Sequence, residues 1–85
     1  MDWNTRTKQQ LEQLLEKVPV FLRELAKKKV SQKAENLAQE QNRQEVIEAD
    51  LVNAFFDETP FGFHGPMKTD MEEIGIDYTQ YGYEK

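Results

Sequence analysis

Cysteine is absent from these 85 residues, and serine, histidine and tryptophan occur once each, at Ser31, His64 and Trp3. Without thiols the chain holds no disulfide, thiolate-bound zinc or cysteine-ligated iron–sulfur cluster of its own. Ser31 sits amid lysines, so no serine–histidine–acid set can be argued, and the four glycines form no phosphate-cradling loop. Asp70, Glu72, Glu73 and Asp77 lack the residue order of a calcium loop and read as helix surface. No run approaches the ~20 apolar residues that span a bilayer, and no apolar core of signal-peptide length opens the chain. The expectation is one soluble, cytoplasmic domain. A chain this short buries only about 60–65% of its unfolded surface, too little for a deep enclosed active site. No catalytic residue and no metal ligand is assigned.

What is present is charge, unevenly placed. Residues 1–34 hold eight Lys or Arg against four Asp or Glu, and residues 35–85 hold three against twelve, within a net charge of −5. The acidic end can fold back on the basic part or steer a partner over a Debye length of ~8 Å.

Leu11, Leu14, Leu15 and Val18 fall at i, i+3, i+4 and i+7 and predict a helix over 5–18, capped by Asn4 or Thr5. Pro19 ends it, because proline lacks the backbone donor and biases Val18 away from helical angles. A tight corner into a second helix follows, with Leu22, Leu25, Ala26, Val30, Ala34, Leu37 and Ala38 on its apolar face. Asn42, Arg43 and Gln44 break the pattern, and residues 45–47 read as a short extended lead-in. Glu48 and Asp50 open a third helix that buries Ile47, Leu51, Ala54 and Phe55. Residues 59–66, with two prolines and two glycines, fit no regular element. Pro66 followed by Met67, Met71, Ile74 and Gly75 predicts a short helix over 66–74, with Ile76 packing behind a glycine cap. The end, with Tyr78, Tyr81 and Tyr83, is expected to be extended or partly disordered. The fold class is therefore all-α, a small bundle of three main helices with a proline corner, a short C-terminal helix and an aromatic tail.

Trp3, Pro19, Phe21, Arg23, Ala34, Ala38 and the string Ile47-Glu48-Ala49-Asp50-Leu51-Val52-Asn53-Ala54 carry a resemblance. Over residues 3–55 the chain resembles the small C-terminal domain of the B subunit of light-independent protochlorophyllide reductase and its free-standing short relatives. The resemblance implies a helical accessory domain over 1–56, followed by an acidic, aromatic extension over 57–85. It also implies a protein partner in photosynthetic or tetrapyrrole machinery, without a membrane span, and a cytoplasmic place that extends to the thylakoid surface through that partner. Residues 34–54 are weakly similar to the latter half of a histone-type fold, which implies a small dimer. Nucleic acid is disfavoured as its ligand by the acidic remainder, despite Lys27, Lys28 and Lys29.

Trp3 and Phe21 read as residues closing a small core. Arg23 reads as an exposed or ion-paired side chain, and Lys27 lies in a solvated lysine triplet. The bulky residues Phe61, Phe63, Met67, Met71, Tyr78, Tyr81 and Tyr83 exceed what a solvating tail carries, so they either wrap the chain's own helices or dock on a partner. With Arg23 and Lys27 they form the candidate partner surface. No cofactor is required. His64, between Phe61 and Phe63 on one side and Gly65 on the other, is the one side chain offered for a tetrapyrrole, in which case the chain is a carrier. The leading expectation is a non-enzymatic interaction, assembly or regulatory module.

Overall fold

The computed structural model describes residues 1–85, and its architecture is all-α with one two-stranded parallel bridge. The order is β1 (Asp2–Trp3), α1 (Thr5–Glu16), α2 (Val20–Glu40), β2 (Glu45–Val46), α3 (Glu48–Glu58), a 3₁₀ turn (Phe61–Phe63), α4 (His64–Glu73) and a second 3₁₀ turn (Tyr78–Tyr81). β1 and β2 pair with Asp2 opposite Glu45 and Trp3 opposite Val46. This brings the start of the chain against the lead-in to α3.

Asn4 caps α1 by accepting the Thr7 N–H at 3.2 Å. The helix stops at Glu16, two residues before the expected Val18, and its end is held by a side chain eight residues away. Arg23 donates from Nε to the Leu15 carbonyl at 2.8 Å and from Nη2 to those of Glu16 and Val18 at 3.1 Å. The reading of Arg23 as exposed or ion-paired is thus corrected: the fixed guanidinium fork reaches three carbonyls that the Pro19 corner leaves without helical donors. Arg23→Ala is expected to cost about 2 kcal/mol in urea denaturation, and Arg23→Lys to recover less than half, because an ammonium does not span three carbonyls.

The C-terminal ends of α2 and α4 use Schellman-type caps. At the end of α2, Asn42 takes a φ of 58°, with Arg43 N–H on Ala38 O at 2.9 Å and Asn42 N–H on Gln39 O at 2.9 Å. At the end of α4, Gly75 takes a φ of 85°, with Ile76 N–H on Met71 O at 2.9 Å. Ile76 is buried behind that cap, as the proline-first, glycine-last spacing predicts, although α4 starts at His64 rather than Pro66.

One cluster of sixteen buried residues forms the core. α1 supplies Leu11, Leu14 and Leu15, and α2 supplies Val30, Ala34 and Ala38. β2 supplies Val46 and α3 supplies Leu51, Val52, Ala54, Phe55 and Phe56, while Met67, Met71, Ile76 and Tyr78 come from the last third. The core continues across the 56/57 division that the resemblance implies. The tail is likewise neither extended nor loose: Asp77 caps a 3₁₀ turn by accepting the Thr79 N–H at 3.1 Å, and Tyr78 is 2% exposed.

α2 has 21 residues, α1 has 12 and α3 has 11. At 1.5 Å per residue α2 is about 31 Å long, nearly twice the length of either helix packed on it. Its middle and end are covered, but its first two turns are not.

Candidate functional site

Leu22 and Leu25, expected on the buried stripe of α2, are 42% and 54% exposed, and Phe21, expected to close the core, is 84% exposed. Helical spacing places these side chains on one side of α2, and the short neighbours leave that side open at its N-terminal end. Trp3, by contrast, is half-buried against the core and donates Nε1–H to Glu35 Oε2 at 2.9 Å.

Beneath Leu22 and Leu25 runs a groove of about 610 Å³. Val30 and Phe55 reach its floor from the core, Val18 and Pro19 close one end, and Pro60 and Phe63 form the opposite wall. The wall is built by the 3₁₀ turn after α3, which turns Phe61 and Phe63 outward to 87% and 64% exposure. Two charged residues line the same groove, Lys29 on the α2 side and Glu58 at the end of α3. Neither makes an ion pair within the chain, whereas their neighbours Lys33 and Asp57 pair at 3.7 Å.

The candidate partner residues separate into three groups. Phe63 is exposed at the groove wall, and Phe61, exposed on the same 3₁₀ turn, lies outside the groove's lining. Met67, Met71 and Tyr78 are in the core, so they are corrected from partner residues to packing residues. Tyr81 and Tyr83 are half-buried and spend their hydroxyls on the chain itself. Tyr81 donates to Glu48 Oε1 at 2.6 Å, and Glu48 Oε2 accepts Gln10 Nε2–H at 2.8 Å, so one carboxylate joins α1, α3 and the tail. Tyr83 donates to Asn53 at 2.6 Å and stacks on Phe56, centroids 3.7 Å apart and planes at 6°. Arg23 is occupied at the corner, and Lys27 lines a separate depression that has no hydrophobic lining. Sequence reasoning missed Val18, Pro19, Leu22 and Leu25 as surface residues. The available signal was the length of α2 against that of α1.

His64 opens α4 and directs Nε2 between the carbonyls of Phe56 at 3.2 Å and Thr59 at 2.9 Å. Two acceptors around one ring nitrogen require that nitrogen to carry the hydrogen, so Nε2 ties the end of α3 to the start of α4. The ring also meets Phe56 edge-on at 5.1 Å. His64 and Trp3 are not among the groove's lining residues. Metal ligation through Nε2 requires the ring to leave both carbonyls. The structure holds no group of three or more His, Asp or Glu side chains placed to bind a metal ion, and no helix long and apolar enough to cross a membrane.

Burial, aided by the bond to Glu48, pushes the Tyr81 phenol up to about 12. Burial also raises Tyr78, which is bonded to Glu72 at 2.8 Å, and Tyr83. Each phenol holds its proton more tightly folded than unfolded, so the unfolded chain deprotonates first as pH rises. Stability is therefore full below about pH 10 and falls as pH climbs through the raised values. The urea midpoint should stay flat up to about pH 10 and then drop, with phenolate absorbance appearing together with unfolding. Phenolates forming near pH 10 in a folded chain would contradict this placement of the tail.

Residues 1–84 match the family model described as "Protein of unknown function (DUF2621)", and the chain belongs to that family. No curated protein and no solved structure matches it.

Proposed function

We propose that this member of the DUF2621 family is a non-enzymatic protein-interaction module, an assembly or regulatory subunit that works through the apolar face around the groove. The observation that carries this reading is the exposure of Phe21, Phe61 and Phe63 at 84%, 87% and 64%, beside a groove walled by Leu22, Leu25 and Phe63. A chain that buries Tyr78 and both C-terminal methionines has apolar residues to spare for its core, yet three phenylalanines stay outside. Large aromatic side chains ringed by polar groups are the composition of an interface centre. The resemblance over residues 3–55 directs the search for the assembly toward tetrapyrrole and photosynthetic machinery.

The test is a tagged chain carrying Leu25→Glu and Phe63→Glu, expressed in the native host. Both positions are more than half exposed, so each change should alter stability by no more than about 0.5 kcal/mol and leave the helical circular dichroism unchanged. The expected result is loss of specific co-purifying subunits that the unaltered chain retains. An unchanged set would mean that this face is not the working surface.

A further inference from the structure

We draw no further inference here: the strongest candidate, the apolar groove between the first turns of α2 and the 3₁₀ turn after α3, is an unpartnered face whose exposed lining residues Leu22, Leu25 and Phe63 and unpaired Lys29 and Glu58 suit many occupants, and nothing in the structure shows which one covers it.

Discussion

Removal of residues 77–85 is expected to leave a chain without a cooperative thermal transition. Tyr78 is 2% exposed in the core, and losing a buried aromatic side chain costs about 3–5 kcal/mol. Loss of the Tyr83 stack on Phe56 adds about 0.5–1.5 kcal/mol, before the Tyr81 link to Glu48 is counted. A domain of this size holds roughly 4–13 kcal/mol in total, so the truncation removes a large part of it. Tyr78→Phe is the control. It keeps the ring and loses only the bond to Glu72, at a cost of about 1 kcal/mol. Near-ultraviolet circular dichroism and a thermal melt distinguish the two, and a truncated chain that melts like the wild type would refute the structural role of the tail. One practical consequence follows for mapping partners: deletions within 57–85 destroy the core that presents the groove, so point changes at Phe61 and Phe63 are the informative ones.

Asp50→Ala should lower stability by about 3 kcal/mol. The Asp50 side chain is 4% exposed and accepts from both Nη atoms of Arg43, at 2.5 and 2.8 Å, and from the Ile47 N–H at 3.0 Å. Ile47 stands at the N-cap of α3 and has no side-chain oxygen, so Asp50 at the third helical position performs the return half of a capping box alone. The same carboxylate holds Arg43, the residue that completes the cap of α2. Alanine thus frees two helix ends and leaves a charge partner without its mate, a change more costly than loss of a surface pair. Arg43→Met is expected to cost at least about 2 kcal/mol as well, because it leaves the buried Asp50 carboxylate without its charge partner. In a double-mutant cycle the two changes should be non-additive by about 1–2 kcal/mol. Urea denaturation of the four proteins measures this, and an Asp50→Ala variant within about 0.5 kcal/mol of wild type would contradict the capping account.

The periodic parts of this fold are legible in the sequence. Leu11, Leu14 and Leu15 mark the buried side of α1, and Pro66, Gly75 and Ile76 mark the last helix and its stop. Both follow from local rules about backbone donors and positive φ. Four features resist such reading, each for a physical reason. β1 is two residues long, too short for any period, and exists because β2 lies beside it. Arg23 caps a helix from beyond a corner, so its role depends on the path of residues 17–19 and not on its helical neighbours. Spacing put Leu22 and Leu25 on one stripe with Val30, but five residues turn Leu25 about 140° away from Val30, and a stripe does not say how far along the helix a neighbour covers it. The candidate site lies in that gap. The tail tyrosines are ambiguous in sequence because a 3₁₀ turn leaves no usable period, and burial there depends on Phe56, which meets the rings of Tyr78 and Tyr83, not on residues next in sequence.

Seen from the groove, these details share a purpose. Arg23 fixes the corner that brings Val18 and Pro19 to one end of the groove, and His64 fixes the turn that carries Pro60 and Phe63 along the other wall. Both walls are therefore set by side chains bonded to backbone carbonyls rather than by loops free to move, which limits the ordering cost when a partner docks.

The most direct test of the interaction face is photocrosslinking in the native host with p-benzoylphenylalanine at position 63 in one chain and at position 32, on the polar side of α2, in another. Discrete protein adducts are expected from position 63 and none from position 32. Absence of adducts from position 63, or equal yields from the two positions, would contradict it.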